Sequence, residues 1–236
     1  MLKKIRFTAI LRKCLLTRDF TMDRTEKNHF EKLVSRIPEL DFLLPKLNQL
    51  AADMIGLYRN GGTLFLAGNG GSCCDCEHIA GELLKGFKRM RPLPDDLKQK
   101  YQENFGGRGA YIASKLQQGL RAVTLNSHPG LVSAFSNDVD GDLTYAQQLN
   151  ALAKAGDILI GISTGGNASN IEAAFMTARM NNVKTVLFTG NRHGQCEQYA
   201  DLVIDAPHAE SYVIQEYHIA LYHALCLEVE AAFFDV

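Results

Sequence analysis

Four side chains have the types and spacing to do chemistry: His78, Glu82, Gln215 and His223. His78 and Glu82 stand four residues apart within "GNGGSCCDCEHIAGE", which spans residues 68–82. On a helix that spacing puts both on one face. A His and a Glu so placed can ligate one metal or transfer a proton, and the spacing fits an ordinary surface pair equally well. Asp75, three residues before His78, falls near the same face. Gln215 and His223 come from "VIQEYHIALYHALCLEVE", an apolar helical pattern that also carries Glu216 and His218. Polar groups on so apolar a helix need partners in a core or an interface, and a lone core histidine is usually only hydrogen-bonded. Eight residues separate Gln215 from His223, about 12 Å of helical rise, so they could meet only through extended side chains.

The same stretch holds Cys73, Cys74 and Cys76. The Cys73-x-x-Cys76 spacing at a helix start matches a redox dithiol. No second C-x-x-C or paired His follows at finger spacing, so a zinc knuckle is a poor fit. The expectation is that these cysteines pack beneath a tight loop.

Two glycine-rich turns precede helical segments. The run "TLFLAG" (63–68) leads into Asn69, Gly70, Gly71 and Ser72, and "DILIGIS" (157–163) leads into Ser163, Thr164 and Gly165. Such turns expose backbone N–H groups beside a helix N-terminus and can hold a phosphate. Glycine turns after strands are common for backbone reasons alone, so the pair is the signal. Neither turn has the Lys-Ser/Thr of a P-loop or the spacing of a dinucleotide fingerprint. A sugar phosphate suits them better than a nucleotide, and no nucleotide cofactor is expected.

Other short apolar runs are "RAVTLN" (121–126), "KTVLFTG" (184–190) and "DLVID" (201–205), with helical segments between most of them. Buried strands alternating with helices predict an α/β fold, a doubly wound five-stranded parallel sheet flanked by helices. In the flavodoxin-like order 2-1-3-4-5 the first and third strands are neighbours, so the two turns would meet at the switch point. Leucines and isoleucines recurring at helical steps over about 24–59, broken at Pro38 and Pro45, predict N-terminal helices. A long C-terminal helix is expected from about Glu210 to Phe234. Residues 90–118 are polar and partly helical with a "GGRG" break, and read as an insertion. The basic start, residues 1–21, reads as a poorly ordered extension before a single domain over 22–236, or as sequence upstream of a start at Met22.

A net charge of −1 over 236 residues gives no basic balance for nucleic acid, and no apolar run is long enough to span a bilayer. Six cysteines in a chain of this length fit reduced thiols in the cytoplasm.

Taken together, "LAGNGGSCCDCEHIAGEL", "SND" (136–138), "AGDILIGISTGGNASNI" and "IQEYHIALYH" resemble the sugar isomerase (SIS) domain family, and within it the phosphoheptose isomerase group. The resemblance runs from about Arg24 to Phe234, leaving out 90–118. It implies aldose–ketose isomerisation of a phosphorylated sugar, most closely sedoheptulose 7-phosphate to a heptose 7-phosphate on the way to lipopolysaccharide heptose. It also implies that His78, Glu82, Gln215 and His223 gather at the reacting carbons and bind zinc in some members. Glu82 and His223 would be the catalytic pair, with their order of action open. By the same resemblance Ser72, Ser163 and Thr164 bind phosphate, Asn69, Asn137, Asp138 and Gln215 touch substrate, and a homotetramer shares its sites between subunits.

The chain departs from the family pattern in several places. Cys73 replaces a histidine, Gly165 and Ala168 replace hydroxyl residues, and Tyr212 replaces an acidic one. The basic residue expected after Glu82 has four candidates, Lys85, Lys88, Arg89 and Arg91, and the insertion has no counterpart. Two other readings are an isomerase of a different sugar phosphate and a non-catalytic SIS adaptor or sugar-phosphate sensor, resembling the protein that assists the DnaA initiator. Such adaptors lack the catalytic Glu and the C-terminal His, which Glu82 and His223 supply here.

Overall fold

The computed structural model describes residues 28–234. The readings made for residues 1–21 and for a start at Met22 therefore lie outside the described residues.

The first helix, α1 (His29–Arg36), begins at a capping box in which the Asn28 side chain accepts from the Glu31 N–H and Glu31 accepts from the Asn28 N–H. A 3-10 turn (Pro38–Leu43) and α2 (Leu44–Arg59) follow, each with proline in its first turn, where the missing N–H costs nothing. The two-proline punctuation of the sequence is thus the break between α1 and α2.

Then come β1 (Leu64–Gly68), α3 (Gly71–Leu84), α4 (Asp95–Lys115), β2 (Ala122–Thr124), α5 (Pro129–Phe135), α6 (Thr144–Leu152) and β3 (Ile158–Ile162). The chain continues through α7 (Ser169–Met180), β4 (Lys184–Thr189), β5 (Leu202–Asp205) and α8 (Ser211–Ala231). All five strands pair in parallel in the order β2-β1-β3-β4-β5, with Gly68 opposite Ile162. The flavodoxin-like sheet expected from the sequence is the sheet observed.

Alternation along each strand sends side chains to two cores. Leu64, Leu66, Ile158, Ile160, Val186 and Phe188 pack with α1, α2, α3 and α8 on one face. Phe65, Ala67, Leu159 and Leu187 pack with α6 and α7 on the other. Both faces are covered, which is why the strands read as continuous apolar runs. The apolar pattern of α8 is explained by the first core, where Ile214, Leu221, Tyr222, Leu225 and Val229 are buried.

The segment expected to be an insertion is α4, and it packs substantially against no other helix or strand of the described chain. Gly106 leaves helical geometry at φ 58°, and the chain folds back so closely that a Cβ on Gly109 would lie 2.0 Å from the Tyr101 carbonyl oxygen. Only glycine fits both positions. Its two stems are joined by a Pro92–Gln117 bridge and by the Gln118 N–H donating to the Arg91 carbonyl at 2.7 Å.

Candidate active site

The first turn, Gly68–Ser72, and the second, Ser163–Gly166, leave adjacent strands. Asn69 carries them together: its side-chain amide and that of Asn170, on the first turn of α7, donate to each other's oxygen at 2.9 Å. Tyr145, from α6, donates to the Gly68 carbonyl at 2.8 Å and reaches Asn69 Oδ1 at 3.1 Å, while Asn126 Nδ2 donates to the same carbonyl at 2.9 Å. On the far side Thr164 Oγ1 donates to Ser211 Oγ at 3.1 Å, tying the second turn to the start of α8.

Gly70 takes φ 56° and Gly166 φ 67°, values a side chain would strain. No side chain caps α3, α7 or α8. Three uncapped helix N-termini thus flank two glycine turns, and their partial positive charges favour an anion. Ser72 and Ser163 are buried here, whereas Asn69, Gly70 and Gly71 are exposed.

From this cradle α3 and α8 run side by side in one direction. A Cβ on Gly71 would lie 2.4 Å from Gln215 Nε2, so Gly71 is the position that admits Gln215 against the loop. Two turns on, the ring of His78 meets those of Tyr222 and His223 edge to face, with centroids 5.4 and 4.9 Å away. His78 Nε2 lies 3.4 Å from Glu82 Oε1 and 3.4 Å from His223 Nε2. The spacing rule for His78 and Glu82 holds, and the tertiary fold adds His223 to the pair.

Behind them lies a relay. Tyr222 donates its hydroxyl proton to Asp75 Oδ1 at 3.3 Å and stands 2.9 Å from His78 Nδ1. The Tyr222 hydroxyl thus stands between Asp75 and His78 Nδ1, while His78 Nε2 faces Glu82 and His223; which way the Tyr222–His78 bond runs follows the His78 tautomer. Asp75 is buried, its Oδ2 has no partner, and burial raises its pKa. Burial, with the Asp75 carboxyl beside it, also pushes the Tyr222 phenol up. His223 is held below the usual histidine range, first by burial and then by His78. Its imidazole is therefore neutral at neutral pH, able to take up a proton.

Glu82 sits with its side chain 13% exposed, and Lys85 Nζ is 3.0 Å from Oε2. Lys85 is thus the cation paired with the Glu82 carboxylate. Arg91 is buried, and Arg89 donates to the carbonyls of Ala231 and Phe234.

The four expected metal ligands do not gather around one point. α8 is helical without interruption from Ser211 to Ala231, so Gln215 stays two turns from His223 at the Gly71 end. Among the described residues no group of three or more His, Cys, Asp and Glu has the arrangement to hold a metal ion. The arrangement does not fit the four-ligand centre. The redox reading of the cysteines also fails on environment. Burial raises the thiols of Cys73 and Cys76, so the helix start stabilises neither as thiolate. Cys76 is a packing residue, as expected, whereas Cys74 is exposed.

Asn137 and Asp138 lie in a π-helical turn (Ser136–Asp140), exposed and bonded to each other at 2.8 Å. Tyr222, Tyr145, Asn126 and Asn170 were not picked out from the sequence. Tyr222 adjoins His223 in an apolar helix, where a tyrosine reads as core, and the others carry no local motif.

Comparison with known proteins gives one answer. The SIS domain family model matches residues 122–228. A phosphoheptose isomerase of Burkholderia pseudomallei (strain 1710b) is 35% identical over 192 residues, 81% of this chain and 84% of that protein. One from Roseiflexus sp. (strain RS-1) is 33% identical over 191 residues, again 81% and 84%. Among solved structures, the phosphoheptose isomerase of Neisseria gonorrhoeae aligns with a TM-score of 0.66 at 28% identity, covering 86% of this chain and 95% of that one. That of Francisella tularensis aligns at 0.69 and 25%, with the same coverage. With its two loops, its parallel sheet and its His78–Glu82–His223 cluster in the same chain, the protein belongs to the phosphoheptose isomerase family of SIS-domain proteins.

Proposed function

We propose that this protein is an aldose–ketose isomerase of a phosphorylated sugar, and that sedoheptulose 7-phosphate is the substrate it serves best. The observation that carries the reading is the seam between α3 and α8. An uncapped anion cradle lies at one end, and His78, His223 and Glu82 lie about 10 to 16 Å of helical rise further on. An open-chain sugar phosphate has the same polarity, with its phosphate at one terminus and its carbonyl at the other.

The phosphate rests against the turns at Asn69–Ser72 and Ser163–Gly165, and Gln215 orients the chain beside Gly71. One of Glu82 and His223 removes the proton from the carbon next to the carbonyl, forming an enediolate. That proton returns to the neighbouring carbon, while the other group moves a proton between the two oxygens. The Lys85 ammonium offsets developing negative charge beside Glu82. Each proton lost is regained, so no external oxidant or reductant enters.

Zinc is a variable of the assay, and the steps above run through protein groups alone. A cytoplasmic location fits the free thiols, and among the described residues no helix is long and apolar enough to cross a membrane. A homotetramer completing its sites between subunits belongs to the same proposal. An isomerase of a different sugar phosphate is favoured by Cys73, Gly165, Ala168 and Tyr212, which alter recognition positions and leave Glu82 and His223 in place.

The test is proton NMR in D₂O with sedoheptulose 7-phosphate and a panel of C5–C7 sugar phosphates, with and without zinc. Product formation with deuterium uptake beside the carbonyl, abolished in Glu82→Gln, is the expected result. The most active sugar separates the two isomerase readings. Silence from folded protein across the panel in both metal states would transfer the reading to an adaptor or sensor.

A further inference from the structure

Beyond the groups facing the substrate, one buried ion pair has no evident need to exist. Arg91 is 0% and Glu230 1% exposed, at the root of the α4 excursion and near the end of α8 respectively. A buried pair of this kind is not in itself stabilising, because desolvation of both charges offsets their attraction. Its geometry shows what it holds. Arg91 Nε and Nη2 donate to Glu230 Oε1 at 3.0 and 2.8 Å. Nη1 donates to the Leu83 carbonyl at 2.7 Å and Nη2 to the Glu82 carbonyl at 3.1 Å, while the guanidinium lies 4.6 Å from the centroid of the Phe234 ring. One guanidinium thus closes the last turn of α3, the turn that carries Glu82.

Glu230 completes the clamp. It accepts the N–H groups of Phe87, Lys88 and Arg89 at 2.8, 2.9 and 3.2 Å. Burial alone would raise its pKa, but the Lys88 and Phe87 N–H groups and Arg91 bring it below the usual glutamate value. The turn leaving α3 is therefore wrapped around a carboxylate anchored on α8, the helix that carries His223. Glu82 and His223 sit on different helices, and this clamp fixes the end of one against the end of the other.

We propose that Arg91 and Glu230 are positioning residues that set the Glu82 carboxylate against His78 and His223. The inference rests on the isomerase reading above. Neither residue touches substrate. They act through the backbone of the last turn of α3, where a displacement of about 1 Å is enough to cost a hundredfold in rate.

The test uses the full chain carrying Arg91→Met with Glu230→Gln. This double variant removes both charges together and leaves an amide oxygen for the N–H groups of residues 87–89. Arg91→Lys is the second variant, since it keeps the ion pair but cannot fork to both carbonyls. Folding is checked first by circular dichroism. The expected result is kcat for the sugar phosphate lowered about 10- to 100-fold with KM within about twofold. Amide hydrogen exchange at residues 80–85 should be faster than in the parent. Glu82→Gln serves as control, with lost turnover and unchanged exchange. A folded variant with parental kcat, or with parental exchange over 80–85, overturns the proposal. If the parent turns over none of the sugars, the isomerase reading fails, and the exchange measurement still decides whether this pair holds the end of α3.

Discussion

At the scale of single residues, the candidate site is a chain of hydrogen-bonded polar side chains. Tyr222 bridges the buried Asp75 carboxyl and His78 Nδ1, and so holds the imidazole with Nε2 toward Glu82 and His223. Tyr222→Phe removes the oxygen that holds the His78 ring and keeps the ring packing. We expect kcat to fall about tenfold, less than the roughly hundredfold or more that losing an acid–base group itself costs, with a stability loss of about 1 kcal/mol by urea denaturation. His218, four residues before Tyr222 on α8, does different work. It is buried, donates Nε2–H to the Thr189 carbonyl at 3.2 Å, leaves Nδ1 without a partner, and is pushed down by burial to about 4. Its folded pKa lies below the unfolded value near 6.5, so between the two the unfolded chain binds more protons. Its contribution is fully present above about pH 6.5 and is lost as pH falls toward 4, an effect on the order of 3 kcal/mol. In His218→Leu the slope of unfolding free energy against pH over that window should flatten. An unchanged slope would show that other groups set it.

At the scale of elements, the parallel seam of α3 and α8 decides what can meet. Gly71 faces Gln215, His78 faces Tyr222 and His223, and the end of α3 faces Glu230, a nearly constant register along two helices far apart in sequence. Gly71→Ala puts a methyl 2.4 Å from Gln215 Nε2, the free end of a flexible side chain. The fold should survive while Gln215 swings away, raising KM for the sugar phosphate about fivefold, as expected for one lost hydrogen bond. Steady-state kinetics check this, and an unchanged KM would remove Gln215 from substrate binding. Gly161→Ala is the contrasting case. Its methyl would meet Ile171 and Phe175 at 2.8 Å inside the second core, where nothing flexible can yield. Overpacking of this kind costs about 1–3 kcal/mol, read from the urea midpoint.

At the scale of the whole molecule, the five-stranded sheet places both loops at one end, and α4 stands away from it. Because Pro92 and Gln117 are already bridged, replacing residues 93–116 by a short glycine linker should leave the urea midpoint and the turnover close to parental. Turnover lost with stability intact would show that α4 contributes to the site.

Much of the fold was legible because its signals are local. Continuous apolar runs mark strands covered on both faces, glycine turns mark where helices begin, and the i, i+4 spacing alone joined His78 to Glu82. The loops at Asn69–Ser72 and Ser163–Gly165 were visible for the same reason: a turn that exposes backbone N–H groups needs small residues at fixed places. What the sequence could not settle was which distant side chains would be neighbours. Asn69 finding Asn170, Tyr222 reaching both Asp75 and His78, and Arg91 pairing with Glu230 all depend on contacts between segments about 100 or more residues apart. No spacing rule encodes them. The same holds for Gln215, whose eight-residue distance from His223 is a property of one helix, but whose place against Gly71 exists only once α8 lies along α3. The sequence by itself determined the elements and the pool of reactive groups, since periodicity and backbone sterics act over a few residues. The tertiary structure decided the site, since proton relays and buried charge pairs are set by the packing of whole helices.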